Sequence, residues 1–293
     1  MTNLGKVLTA MATPFKADMS VDWKRVEEIA DYLVKNGSEG LVVHGTTGES
    51  PTLTHDEEYE LYRVVKSAVG GRCKIIAGTG SNSTETTIKS SQQAEKIGVD
   101  GLMVVVPYYN KPSQEGLYQH FKAVSEKTSL PIIIYNIPGR TGINMTPETT
   151  VRIASLKNMA GLKDAAGSLD QTSSTRQLCP KEFIIWSGDD SLTLPMLAVG
   201  AVGIISVASH IVGKEIAQMV NAYHSGDVKK AAETHLRLMP LFKVLFITSN
   251  PSPLKYALEL IGQPAGGPRL PLVPPSADEK EQIKKVMREL GLV

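Results

Sequence analysis

Gly101-Leu102-Met103-Val104-Val105-Val106 carries no polar side chain at six consecutive positions, and Pro131-Ile132-Ile133-Ile134-Tyr135 and Met159-Ala160-Gly161-Leu162-Lys163 repeat that texture. A strand with one wet face alternates apolar and polar residues. A strand covered on both faces reads as a near-continuous apolar run, the mark of a parallel sheet with helices on each side. Working outward, the same texture recurs at Val7–Ala10, Gly40–His44, Lys74–Gly78, Phe183–Trp186 and Gly203–Ser206. With Gly101–Val106, Pro131–Tyr135 and Ala160–Lys163 these make eight expected strands.

The segments between them carry helix signals. Asp22 can cap a helix whose apolar residues Val26, Ile29, Ala30, Leu33 and Val34 share one face, with Asn36-Gly37 as its stop. Thr54 to Glu57 has capping-box spacing, Thr146-Pro147 places proline in a first turn, and Gly98 and Gly226 fit helix ends. Strands alternating with helices in this way predict an α/β fold, a (β/α)8 TIM barrel. A doubly wound open sheet is the alternative, because a strand count does not prove closure. Beyond Gly226 no strand run follows. Val228–Ile247 is helical in character, and Pro240 inside it predicts a kink or break. Asn250-Pro251-Ser252-Pro253 interrupts the chain before a helix over Leu254–Ile261 that stops at Gly262. A loop over Gln263–Pro275 then leads to a last amphipathic helix opened by Ser276, with Ile283, Val286, Met287 and Leu290 on its apolar face. Residues 1–226 are therefore expected to form the catalytic barrel, and 227–293 a C-terminal helical appendage with no linker of its own.

Composition narrows the function. A chain of 293 residues can bury a large core. Its 31 Lys and Arg balance 30 Asp and Glu, so no chain-wide basic footprint points to nucleic acid. Cys73 and Cys179 lie far apart with no CxxC spacing and read as buried thiols of a reducing compartment. The stretch from Met1 to Pro14 is too short and lacks the charged start of a signal peptide, and no apolar run approaches the ~18 residues that span a bilayer. A cytoplasmic protein is expected, with no membrane or nucleic-acid partner. No Walker A pattern is present, Gly78-Thr79-Gly80 has Ser83 where a dinucleotide fingerprint needs glycine, and the histidines form no HExxH cluster. Neither a bound cofactor nor a metal is expected.

Barrel active sites lie at the C-terminal ends of the strands. Gly45-Thr46-Thr47-Gly48-Glu49 offers amides and hydroxyls that suit a carboxylate, or is a plain turn. Lys163 ends an apolar run. Desolvation there would favour the neutral amine, a nucleophile toward carbonyl carbon; a lysine reaching out to water is the other reading. Tyr135 can shuttle protons or merely fill the rim, and Arg140 can clamp a carboxylate or lie on the surface. Asp189-Asp190 reads as a metal-binding pair or as hydrogen-bonded carboxylates at a strand end.

Taken together, Gly45–Glu49, Pro107-Tyr108-Tyr109-Asn110-Lys111-Pro112, Tyr135-Asn136-Ile137-Pro138-Gly139-Arg140-Thr141 and Gly161-Leu162-Lys163 resemble the dihydrodipicolinate synthase and N-acetylneuraminate lyase superfamily of class I pyruvate aldolases. Ser187-Gly188-Asp189-Asp190, Gly203–Val207 and Asn250-Pro251-Ser252-Pro253-Leu254-Lys255 add to the likeness, which spans essentially the whole chain. The resemblance implies a lyase in which Lys163 forms an imine with pyruvate and Tyr135 moves protons. Thr47 and Tyr109 would be its relay partners, Tyr109 from a neighbouring subunit. It further implies that Thr46 and Thr47 seat the pyruvate carboxylate, that Arg140 receives the second substrate, and that Gly188 and Ile205 offer backbone near the intermediate. Arg140 and the Thr46-Thr47 pair favour the synthase branch, which joins pyruvate to L-aspartate 4-semialdehyde in diaminopimelate and lysine biosynthesis. Asp164-Ala165-Ala166 departs from that branch and also resembles aldolases of 2-keto-3-deoxygluconate or 4-hydroxy-2-oxoglutarate. N-acetylneuraminate lyase and a catalytically idle metabolite-binding barrel are further alternatives. A homotetramer built as a dimer of dimers is implied, as is an effector pocket for lysine at Ser50, His55, Asn82 and Tyr108. Glu58 and Thr86 depart from lysine-sensitive members there and imply weak feedback.

Overall fold

The computed structural model describes residues 4–293; Met1, Thr2 and Asn3, the start of the N-terminal stretch read above, lie outside the described residues. Strands β1 (Val7–Ala10), β2 (Gly40–Val43), β3 (Lys74–Gly78), β4 (Gly101–Val105), β5 (Ile132–Asn136), β6 (Met159–Asp164), β7 (Ile184–Ser187) and β8 (Gly203–Ser206) pair in parallel and in chain order. β8 returns to β1 through Val7–Ile204, Leu8–Ile205 and Thr9–Ser206, so the sheet is a closed barrel and not an open one.

Helices α1 (Trp23–Lys35), α2 (His55–Val69), α3 (Thr84–Ile97), α4 (Gln114–Ser125), the single turn α5 (Pro138–Thr141), α6 (Pro147–Ala154), α7 (Leu169–Leu178), α8 (Thr193–Ala198) and α9 (Ser209–His224) follow their strands. Their starts obey the sequence signals. Asp22 accepts from the amide of Arg25, and Thr54 and Glu57 close a reciprocal capping box. Gly98 ends α3 in the left-handed conformation.

The strands explain their own composition. Leu41, Leu102, Ile132, Ile134, Leu162 and Ile204 point outward into the helical layer. Leu8, Val42, Ile76, Met103, Ile133, Tyr135, Trp186 and Ile205 point inward and fill the barrel. Both faces are dry, hence the runs without alternation. One irregularity matters for the site. Ile132 pairs with Met159 but Ile133 with Gly161, so Ala160 is an inserted residue, a bulge at the start of β6. A one-residue insertion reverses which face later side chains take. Gly161 is required beside it, because a Cβ there would lie 2.1 Å from the Ile184 carbonyl oxygen.

After α9 come α10 (Val228–Val244), α11 (Ser252–Leu260) and α12 (Ala277–Glu289), the last opened by a capping box from Ser276 to Glu279. Their Leu238, Leu241, Leu254, Ile283 and Met287 share one apolar core with Ile216 and Met219 of α9. Pro240 does not break α10, contrary to the break allowed for above. Proline removes the hydrogen bond to the carbonyl four residues back. That carbonyl belongs to Leu236, which is 68% exposed, so water can satisfy it.

Candidate active site

Lys163 pairs across the sheet with Tyr135 on one side and Trp186 on the other, both inward-facing. The bulge at Ala160 thus turns the lysine into the barrel. The side chain does not reach water: the residue is 5% exposed, and Nζ lies 4.1 Å from the centre of the Tyr135 ring. Desolvation pulls its pKa down to about 7; Asp190 opposes the fall and Arg140 assists it. A sizeable fraction of the amine is therefore neutral at neutral pH, as a nucleophile must be. Gly188 leaves the space beside it open, since a Cβ there would stand 3.2 Å from Lys163 Cγ. Ile205 belongs to the same inner cluster as Tyr135.

Burial pushes the Tyr135 phenol up to about 12, against the opposing influence of Arg140 and a hydrogen bond with the Thr46 side chain. The phenol stays protonated and can donate. The hydroxyl beside it is that of Thr46, whereas the sequence reading placed Thr47 in that relay. Thr47 is engaged from another part of the chain: its buried Oγ1 accepts from Asn250 Nδ2 at 2.9 Å. Successive residues of a turn follow no fixed period, so sequence spacing did not separate the two threonines.

A cavity of about 690 Å³ opens at this end of the barrel. Thr46, Ile137, Arg140 and Tyr109 line one part, and Ser50, His55, Glu58, Thr86 and Tyr108 another; Lys163 and Tyr135 are not among its lining residues and lie in the barrel interior. Arg140 is exposed on α5, and no carboxylate pairs with it among the described residues. Tyr109 is 88% exposed with φ +73°. A bulky residue in that region is strained, and His44, Glu49 and Lys111 on the same set of loops also have positive φ. Asn82 is not a lining residue; its carbonyl accepts from Asn110 Nδ2.

The effector-type residues form a tight cluster that sequence reasoning only partly foresaw. Glu58 is buried and accepts from Tyr62 at 3.0 Å, lies 2.8 Å from His55 Nδ1 and 3.7 Å from His44 Nδ1. Burial lowers the His44 pKa and, with Glu58 adding to it, raises that of Tyr62. His44 closes the Gly40–His44 run and Tyr62 lies on α2 between Leu61 and Arg63, so spacing gave no sign that they meet.

The aspartates are also placed. Asp164 points outward from β6, accepting from Thr172 Oγ1 at 2.7 Å and the amide of Ala166 at 2.9 Å. The aspartate of the departing triplet therefore faces the helical layer, while Ala165 packs against the inner cluster. Asp190 accepts from Ser206 Oγ at 2.5 Å and from the amides of Val207 and Ala208, while Asp189 accepts from Ser191. Both carboxylates are engaged in hydrogen bonds, and no group of three metal-ligating side chains occurs among the described residues. Cys73 and Cys179 are free and buried, with burial raising their thiols to about 12 and about 11.

The chain is similar to known proteins over nearly its whole length. Residues 3–290 match the dihydrodipicolinate synthetase family. A protein of Moorella thermoacetica named 4-hydroxy-tetrahydrodipicolinate synthase is 57% identical over 289 residues, 99% of each chain. The crystal structure of the dihydrodipicolinate synthase of Cyanidioschyzon merolae with lysine bound superposes with a TM-score of 0.97 at 48% identity, covering 99% of both chains. The chloride-inhibited dihydrodipicolinate synthase of Acinetobacter baumannii complexed with pyruvate gives 0.97 at 35% identity, covering 99% of this chain and all of that one.

Proposed function

The chain belongs to the dihydrodipicolinate synthetase family, and on that premise we propose that it is a lyase of the class I aldolase type, condensing pyruvate with L-aspartate 4-semialdehyde to 4-hydroxy-tetrahydrodipicolinate. The observation that carries the reading is a buried lysine amine, lowered to about 7, against a protonated buried tyrosine at the mouth-facing end of a barrel.

The chemistry follows from those two groups. Neutral Lys163 attacks the keto carbon of pyruvate, and the carbinolamine loses water to give an imine. Tyr135, held by Thr46, supplies the proton that lets hydroxide leave as water. The imine nitrogen draws electrons, so the methyl group releases a proton and becomes an enamine carbon. That carbon attacks the aldehyde of the second substrate, and the new alkoxide takes a proton. The substrate's own amine then adds to the imine carbon, closes the ring and expels Lys163. One difficult step becomes several easier ones, with the electron sink on the protein itself and no further cofactor called for.

Binding roles follow from charge. The Thr46-Thr47 turn would seat the pyruvate carboxylate, and Arg140, exposed on α5 with no carboxylate partner among the described residues, would receive the carboxylate of the semialdehyde. Gly188 and Ile205 border the space beside Lys163. Tyr109, exposed and strained here, would complete the relay of a neighbouring subunit, making a dimer the smallest complete unit and a dimer of dimers the expected assembly. No helix among the described residues is long and apolar enough to cross a membrane, and the cytoplasm is the compartment proposed. Turnover compared across L-aspartate 4-semialdehyde, 2-keto-3-deoxygluconate and N-acetylneuraminate tests the assignment. The first should dominate; faster cleavage of either sugar acid would overturn it.

A further inference from the structure

The segment Asn250 to Lys255 belongs to none of the roles above, yet it touches the Gly45–Glu49 turn twice. Asn250 donates to Thr47 Oγ1 at 2.9 Å, both residues being buried. Five residues on, Lys255 Nζ lies 2.6 Å from Glu49 Oε1, with both side chains at most 2% exposed. The amide of Arg269 also donates to Glu49, at 2.8 Å, and Thr13 donates to the Gly48 carbonyl at 2.7 Å. The turn that would carry the substrate carboxylate is thus held by Lys255 of α11, by the segments around Asn250 and Arg269 and by Thr13 after β1, and not by its own strand alone.

The donor count gives the contact at Asn250 a chemical meaning. A carboxamide NH2 only donates, so Thr47 Oγ1 must accept from it. The hydroxyl hydrogen of Thr47 is then left over, polarised by the bond its oxygen accepts, and free to donate to an anion. A threonine without that neighbour could turn its hydrogen to any nearby carbonyl. The arrangement therefore selects a donor state before substrate arrives.

We propose that Asn250 is a positioning residue for pyruvate: its amide presets the Thr47 hydroxyl as a donor to the substrate carboxylate. The inference rests on the proposed function in one respect, that the Thr46-Thr47 turn seats this carboxylate. Asn250→Asp is the decisive variant, since it keeps the shape but replaces the donor with an acceptor that captures the Thr47 hydrogen. Asn250→Ala simply removes the donor.

The experiment is borohydride trapping across pyruvate concentrations, alongside steady-state KM for each substrate. Hydrogen bonds to charged groups typically contribute enough for a change of about tenfold. The half-saturating pyruvate concentration should rise about tenfold in Asn250→Ala and further in Asn250→Asp, while KM for the aldehyde stays within about twofold. In Thr47→Val, adding Asn250→Ala should cost nothing more, because the effect passes through one hydroxyl. Equal increases for both substrates, or additive effects in the double variant, would overturn the proposal. If the alanine variant does not fold, the near-isosteric aspartate decides alone: unchanged pyruvate saturation there overturns the inference. Failure of the wild-type protein to trap pyruvate at all would instead strike the proposed function, so the two outcomes are distinct.

Discussion

Replacing Lys163 with methionine should make the protein more stable, not less. The amine is 5% exposed and its pKa falls from 10.5 to about 7, chiefly through desolvation. In the unfolded chain the same amine keeps its ordinary value, so folding below that value must either strip its proton or bury its charge. The cost is fully present below the folded pKa near 7 and disappears as pH rises through 10.5. At its full value it is about 5 kcal/mol, of which about 4 remains at pH 7 and about 2 at pH 9. Methionine fills similar volume and carries no proton, and any attraction of the cation to the Tyr135 ring already acts through the folded pKa. The gain is therefore about 4 kcal/mol at pH 7, or about 6–7 °C in Tm for a chain of this size. At pH 9 it shrinks to about 2 kcal/mol. Melting curves of both proteins at the two pH values check this. A variant that melts lower than wild type at pH 7, or a difference that does not shrink on going to pH 9, would refute the buried-amine reasoning.

Other outcomes follow from the same structure. The rate of pyruvate imine formation should rise with pH and level off above the Lys163 pKa near 7, because only the neutral amine attacks; a flat profile from pH 6 to pH 8 in single-turnover trapping would contradict it. Tyr135→Phe should lower kcat by about 10²–10⁴-fold while Lys163 remains competent to be trapped slowly, which stopped-flow measurement can resolve. Lys255→Met should destabilise the fold by about 3–5 kcal/mol, since it strands the Glu49 carboxylate in a buried site, and denaturant melts would show it. Free lysine should inhibit weakly, because Glu58 is already engaged by His55 and Tyr62 and Thr86 offers no acid; strong inhibition at micromolar lysine in a steady-state assay would refute this.

The barrel was legible in the sequence because both faces of its strands are dry, so burial wrote itself as eight apolar runs with boundaries true to within a residue or two. Lys163 was legible for the same reason, as a charge where no charge belongs. Its direction was not, since the bulge at Ala160 sets it and nothing in Met159-Ala160-Gly161 distinguishes an inserted residue from a paired one. The exchange of Thr46 and Thr47 has a similar cause: facing in an irregular turn is decided by tertiary contacts, here the pull of Asn250 from two hundred residues away. Pro240 does not break α10, because the carbonyl it leaves without its helical partner belongs to exposed Leu236. Sequence also marked Asn250 to Lys255 as a distinctive stretch without revealing a purpose; only the fold brings it against the turn it holds.

The proposed chemistry stands on a covalent imine between the amine of Lys163 and pyruvate. Borohydride reduction of the protein in the presence of pyruvate, followed by peptide mass mapping, tests it most directly. The account predicts a single reduced adduct on the peptide that contains Lys163, and its absence in Lys163→Ala. No adduct, or an adduct on any other lysine, would contradict it.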